Sequence, residues 1–342
     1  MEARQNNLNH RAPPSDGPYW DALQTFASHL RDPHHNKDRF VNSRRIFRSA
    51  AFLLIAFSAC SDEPREGATT PVSPGTFGVL SGTKYYVAPP PLGQAGNSGT
   101  SQASPWTLTR ALSSGFSTPA AGDTVFLMDG TYVDNFIGNR SGSTGNPIVY
   151  KQLSSTFGAA KIDGTIRMNG GDIALWGFTI IRTNLVNDNL PAVDAEGPRQ
   201  QYINLIIHDA MQQGISFWDN AIDSEVYGCI VYNNGWDYNL DHGIYVHNNS
   251  GTKTIEQNVF FDNLAHGVHA YAGPGDAVQR NIRVLNNVSF NNGTIAPDCD
   301  TCYKAKANIL VGDEVGNATG MLVRENYVYH TRTDDGTGIQ IG

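Results

Sequence analysis

From Gly177 to Asn326 the chain repeats one hydropathic phrase. A Gly or Asn comes first, then a short β-rich run, then a polar pair. The copies are Gly177-Phe-Thr-Ile-Ile, Asn204-Leu-Ile-Ile-His, Gly228-Cys-Ile-Val-Tyr, Asn258-Val-Phe-Phe-Asp, Asn287-Val-Ser-Phe-Asn and Asn326-Tyr-Val-Tyr-His, spaced by 27, 24, 30, 29 and 39 residues. A fixed phrase of this period marks a solenoid or propeller unit, which cannot bury its apolar face alone.

A second strand follows each polar pair. Its copies are Ala192–Glu196, Gly214–Trp218, Gly243–His247, Gly267–Tyr271, Asn308–Gly312 and Gly338–Gly342. Their alternation is strict. Val193, Ile215, Ile244, Val268, Ile309 and Ile339 make one inward column, and Ala195, Phe217, Val246, Ala270, Val311 and Ile341 the other. Residues between them point outward. Two or three strands per repeat favour a parallel β-helix over a propeller, whose blades take four. Asn at a turn can bond its equivalents in the coils above and below. Before the repeats come a strand at Tyr85-Tyr-Val and a helix over Ser104-Pro-Trp-Thr-Leu-Thr-Arg-Ala-Leu112, with Ser104 as cap and Pro105 early.

The outward columns gather the candidate chemistry. They carry Asp194, Ser216, Tyr245, His269, Leu310 and Gln340, then Glu196, Trp218, His247, Tyr271, Gly312 and Gly342. His242 and His266 precede the glycines, and Asp219 and Asp241 lie at strand ends. Scattered surface aromatics are ordinary. Four histidines, two tyrosines and a tryptophan on one face point to a ligand-binding strip. No Lys or Arg occupies an outward position of these copies; Lys304 and Lys306, before Asn308, are the nearest cations.

Charge narrows the partners. The 342 residues carry a formal −8; residues 1–59 hold 8 Lys/Arg and 5 Asp/Glu, which is +3, so the remainder carries −8 − 3 = −11. This balance disfavours nucleic acid, and none is expected as a partner, because phosphate binding needs a basic face. Cys229 reads as a small core residue, and Cys299 and Cys302 as a local disulfide of an exported chain.

Arg44, Arg45 and Arg48 precede the apolar Ala50–Ala59, and Cys60 follows. This is an export signal, too short for a permanent span. Phe57-Ser-Ala-Cys60 resembles a bacterial lipobox, which implies lipidation at Cys60 and an outer-membrane or cell-surface lipoprotein, with plain secretion as the alternative. The membrane is then a partner through the lipid anchor only. Residues 1–43 read as a non-native upstream extension, 44–60 as the signal, 61–83 as a flexible linker and 84–342 as the β-helix domain, which stops within a second strand and is expected to be C-terminally incomplete.

Tyr85-Tyr-Val, the helix, Ala121-Gly-Asp-Thr-Val-Phe-Leu-Met-Asp-Gly-Thr-Tyr132 and Gly145-Asn-Pro-Ile148 occur in the order found at the opening of the pectate-lyase-like right-handed parallel β-helix superfamily, which residues 84–342 resemble. The resemblance implies an all-β, single-stranded right-handed parallel β-helix with a short N-terminal capping helix. It also implies a carbohydrate-active protein with a polysaccharide partner, acting by β-elimination on a uronate-containing glycan.

The family's usual base is an Arg or Lys, with calcium on the substrate carboxylate. Here His247 and His269, with Tyr245 and Tyr271, are the candidate base and acid, because an imidazole titrates near neutrality and a phenol relays a proton. Trp218, Asp219, Asp241, His242, His266, Lys304 and Lys306 are the candidate substrate contacts. Asp194 and Glu196 are candidate calcium ligands. Two alternatives stand beside the lyase. A glycoside hydrolase is suggested by Asp241-His-Gly-Ile244, similar to a polygalacturonase strand start, but Gln212-Gln213 stands where paired acids belong. A non-catalytic glycan-binding or adhesion module would stack sugars on Trp218, Tyr245 and Tyr271. A zinc set is disfavoured, since His242 and His247 face opposite sides of a continuous strand.

Overall fold

The computed structural model describes residues 82–342 except 157, 184–189, 236–240, 274, 277, 294–305, 315 and 332–336. The export signal with Cys60, the upstream extension and nearly all of the linker lie outside the described residues, as do Cys299 and Cys302.

The chain opens with β1 (Lys84–Val87) and α1 (Leu108–Leu112), then winds through eight coils of three strands. The first coil is β2 (Thr124–Leu127), β3 (Gly130–Val133) and β4 (Phe136–Gly138), and the second β5 (Ile148–Gln152), β6 (Ala160–Asp163) and β7 (Ile166–Met168). The third is β8 (Ile173–Trp176), β9 (Thr179–Ile181) and β10 (Val193–Ala195), and the fourth β11 (Gln200–Ile203), β12 (Ile206–His208) and β13 (Ile215–Phe217). The fifth is β14 (Ser224–Tyr227), β15 (Ile230–Tyr232) and β16 (Ile244–Val246), and the sixth β17 (Lys253–Glu256), β18 (Val259–Phe261) and β19 (Val268–Ala272). The seventh is β20 (Ile282–Leu285), β21 (Val288–Phe290) and β22 (Ile309–Asp313), and the eighth β23 (Leu322–Arg324), β24 (Tyr327–Tyr329) and β25 (Ile339–Ile341).

Corresponding strands pair in parallel into three long sheets. The fold is an all-β parallel β-helix. Both inward columns predicted for the third sheet meet in register: Val193 faces Ile215, Ile215 faces Ile244, Ile244 faces Val268 and Val268 faces Ile309. All are buried except Ile339 and Ile341 of the last coil, 43 % and 77 % exposed. The helix begins later than its sequence suggests. Thr107, not Ser104, caps it, accepting from the Arg110 N–H at 3.2 Å, because Trp106 is drawn into a bridge with Val87. Leu108, Ala111 and Leu112 join the core of the first coils.

The repeated phrase resolves into two adjacent columns. Gly177, Asn204, Gly228, Gln257, Asn286 and Glu325 take left-handed backbone, with φ between 50° and 80°. The next column is Phe178, Leu205, Cys229, Asn258, Asn287 and Asn326. The sequence phrase mixed the two, because Gly and Asn suit both. In the second column asparagines form a ladder. Asn258 Nδ2 donates to Asn287 Oδ1, and Asn287 Nδ2 to Asn326 Oδ1, each at 3.0 Å. Cys229 is buried at the end of that ladder, its N–H donating to Asn258 Oδ1 at 2.8 Å. A second ladder joins Asn234, Asn263, Asn292 and Asn308 at 2.8–2.9 Å where the second sheet turns into the third. Between the ladders, Tyr232, Phe261, Phe290 and Tyr329 stack at 4.8, 5.0 and 4.9 Å.

These ladders satisfy buried backbone groups at turns, where sheet pairing lapses. Asn287 Nδ2 also donates to Ile255 O at 2.9 Å, and its Oδ1 accepts from the Asn258 N–H at 2.9 Å. Asn287→Ala strands several buried groups at once. It should cost about 3 kcal/mol in chemical denaturation, given roughly 1–3 kcal/mol per orphaned group; a loss below about 1 kcal/mol would show the ladder to be redundant.

Candidate functional site

The candidate residues within the strand copies lie on the outer face of the third sheet. Neighbouring coils stand ~4.8 Å apart, and register sets Asp194 beside Ser216, Ser216 beside Tyr245, and Tyr245 beside His269. The glycines before these strands are required by close approach. A Cβ on Gly243 would lie 2.6 Å from Gly267 O and 2.8 Å from Asn263 Nδ2. The asparagine ladder therefore brings the chain tightly round the corner into each strand of the strip.

Aromatic rings cluster at the centre. His242 and His269 stack with centroids 4.1 Å apart and planes 13° apart. Tyr245 stacks on His269 at 5.2 Å and on His242 at 5.9 Å. His266 packs 5.0 Å from His269 and 5.2 Å from His242. The Tyr245 hydroxyl lies 2.8 Å from His247 Nε2. Trp218 meets Tyr245 edge-on at 5.6 Å and donates its indole N–H to Asp194 Oδ1 at 2.7 Å. Tyr271 lies 6.0 Å from His269, tilted and half-buried.

Several positions differ from expectation. His242 and His266 are not outward contacts: they are 1 % and 5 % exposed, behind the Tyr245–His269 pair. Asp241 is fully buried as well. All three sit in the corner before the strand rather than on it. For the same reason His242 and His247 do not face opposite sides. β16 covers only Ile244–Val246, and Tyr245 touches both histidines. Stacked face to face, the imidazoles do not converge on a common metal ion, and no group of three or more His, Cys, Asp or Glu among the described residues is set to hold one. Asp219 is half-buried at the strip's edge, Lys306 is half-buried beside Ala307, and Lys304 lies outside the described residues.

The strip does contain a cation. Arg167 of β7 pairs in register with Asp194. Its Nη2 donates to Glu196 Oε1 at 2.7 Å, and its Nε lies 3.4 Å from Asp194 Oδ2. Thr165-Ile-Arg-Met168 has the same alternation as the later strands; without the preceding phrase it escapes the repeat. This guanidinium also decides how Asp194 and Glu196 fit a calcium ion. Both are committed to Arg167, and Asp194 also to Trp218, so the pair is not a resident cation site. Asp276, which no sequence signal singled out, brings its Oδ2 to 3.8 Å from His247 Nε2.

Burial sets the protonation states. It lowers the pKa of His242 well below the usual imidazole value, helped by the charges of His269, His266 and Lys306. His269 is lowered likewise, by burial and then by His266, His247 and Lys306. His266 falls to about 4, again through burial, with its hydrogen bond to Ala307 O opposing. Burial raises the Tyr245 phenol to about 12, with Asp276 and Asp219 adding to the effect. Asp194 is raised by burial against the Trp218 hydrogen bond and Arg167. His242 Nδ1 accepts the His266 backbone N–H at 3.2 Å, so the neutral ring carries its proton on Nε2. At neutral pH His242, His266 and His269 are therefore neutral imidazoles beside the protonated Tyr245 phenol.

A neutral buried histidine makes stability acid-sensitive. The unfolded chain takes up the His266 proton below about 6.5, while the folded state resists until about 4. Stability contributed by this residue should fall across that window as pH drops and level off below it. Melting temperatures of wild type and His266→Gln between pH 8 and 4 check this. The variant should show the shallower acid loss.

No curated protein matches this chain in sequence. Among solved structures it is similar to the pectate lyase Pel9A, at 16 % identity and a TM-score of 0.57, with 78 % of each chain covered. It is similar also to a rhamnogalacturonan lyase, at 20 % identity and a TM-score of 0.46, covering 76 % of this chain and 66 % of the other. An alginate lyase from Paenibacillus sp. str. FPU-7 follows at 15 % identity and 0.40, covering 69 % and 96 %. At such identities the likeness is one of fold. The family described as right handed beta helix region matches residues 155–328, just over half of the chain. With three parallel sheets wound coil upon coil, the chain belongs to the right-handed β-helix family.

Proposed function

We propose that this domain cleaves a uronate-containing polysaccharide by β-elimination on its third sheet. The observation that carries the reading is the Tyr245 hydroxyl 2.8 Å from His247 Nε2, with His269 stacked on the Tyr245 ring. β-Elimination needs a base for the C5 proton, a proton for the leaving oxygen and a partner for the C6 carboxylate. His269, held neutral, takes the C5 proton; that electron pair forms the C4–C5 double bond as the C4–O4 bond breaks. Tyr245, protonated up to about 12, gives its proton to the departing oxygen while His247 orients the phenol; exchange with solvent then removes the proton from His269 and returns one to Tyr245. Lys306, half-buried in the connection before Asn308, is the cation assigned to the carboxylate.

Trp218 and Tyr271 flank this centre as stacking surfaces for neighbouring sugars. The fold suits a long polymer, and Pel9A, which shares it, is a pectate lyase. The signal over residues 44–60 supports export, with lipidation at Cys60 and a tether through residues 61–83, or plain secretion as the alternative.

The test is incubation of residues 61–342 with a panel of uronate and neutral glycans, with and without calcium. Absorbance of unsaturated ends and new reducing ends are both followed. At least one uronate polymer should yield unsaturated product. Reducing ends without unsaturation would make the protein a hydrolase, and binding without either a glycan-binding module. His269→Ala and Tyr245→Phe should each lower kcat by on the order of 10²–10⁴-fold. Unchanged turnover in both would remove the pair from the chemistry.

A further inference from the structure

Lys253 opens β17, and its side chain points into the solenoid, where it is completely buried. Its register neighbours are Ser224 and Ile282. Nothing in an inward column calls for a charge. The ammonium instead answers three backbone carbonyls. It donates to Phe217 O at 3.2 Å, to Trp218 O and to His247 O. In its ammonium form, which prevails below about 7, the side chain has three N–H bonds, one for each carbonyl.

The arrangement is more than generic corner filling. In the fourth coil Gln200 does the same work with an amide, donating to Met168 O at 2.7 Å and Gly170 O at 2.6 Å, both at the end of β7 and the turn after it. An amide has two N–H bonds and covers two carbonyls. Lys253 reaches the ends of both β13 and β16, and a neutral amide would leave one carbonyl without a donor. The Phe217 ring lies 4.8 Å from Nζ, while the charges of Asp219 and Glu196 partly offset the burial that draws the lysine pKa down to about 7. A buried charge costs several kcal/mol before its partners repay it. Two of the carbonyls that repay it belong to the residues that shape the strip. Trp218 holds Asp194, and His247 holds Tyr245.

We propose that Lys253 is the positioning residue of this site: from inside the solenoid it fixes the main chain at Trp218 and His247, and through it the Tyr245–His247 hydrogen bond. It touches no substrate. The kinetic part of this role rests on the lyase reading; the structural part does not.

The experiment compares wild type with Lys253→Met, Lys253→Arg and a core control, Ile282→Val. Two readouts are taken: the nitrogen-15 resonances of the His247 ring, which report its bond to Tyr245, and kcat with KM on any glycan the wild type cleaves. In Lys253→Met the His247 signal should move towards that of Tyr245→Phe, and kcat should fall at least tenfold. Lys253→Arg should restore both in part, and Ile282→Val should change neither. A Lys253→Met protein with an unmoved His247 signal overturns the proposal. If that variant does not fold, the wild-type Lys253 ammonium decides. Slowly exchanging Nζ protons support the clamp, and exchange as fast as that of surface lysines overturns it. If no glycan is cleaved the lyase reading fails, while the resonances still settle Lys253.

Discussion

Everything in this molecule depends on one coil sitting on the next in fixed register. Backbone pairing alone does not secure it, because each strand is only three to five residues long and the chain leaves the sheet at every corner. The corners are held by side chains that carry backbone-like groups. The amides of Asn258, Asn287 and Asn326 repeat at the coil spacing and take over where the ladder of N–H and C=O lapses. A carboxamide presents both a donor and an acceptor, so a column of them bonds to itself. The same device at the corner into the third sheet obliges glycine at Gly214, Gly243 and Gly267, since ladder amides and neighbouring carbonyls occupy the space a Cβ would need.

That constraint builds the site. Residues far apart in the chain become neighbours because each occupies the same place in its own coil. Tyr245 and His269 are adjacent through register alone, and Arg167, Asp194 and Trp218 join the same face three, two and one coils lower than Tyr245. Stacking also excludes water. Histidines that would otherwise be half protonated near neutrality are held neutral, and a tyrosine beside acidic residues keeps its proton. Geometry and protonation state thus share one cause.

The sequence disclosed the part of this that follows from alternation. A two-residue period, a preceding glycine and β-branched residues placed all six copies of the third-sheet strand in true register. It was less informative where those signals lapse. Arg167 sits in a coil without the repeated phrase. The depth of His242 and His266 depends on the corner, where alternation no longer says which way a side chain points. The asparagine column was misplaced by one residue between its early and late copies, because left-handed turns and buried ladders both favour small polar residues. Asp276 lies in a connection with no pattern, and Lys253 occupies an inward position where the pattern asks for an aliphatic residue.

Lys253 also shows why polar residues inside a solenoid merit the same scrutiny as those outside. A globular core can exclude charge because its strands run on into paired neighbours. A β-helix turns three corners in every coil, and each leaves carbonyls facing inward. Gln200, Asn287 and Lys253 are graded answers to that demand: an amide where two acceptors lie close together, a ladder where the demand repeats, and an ammonium where three acceptors span two coils. The costliest answer stands beneath Trp218 and His247, where the outer face depends most on a fixed main chain. The interior of the solenoid is in this sense the inner wall of the site.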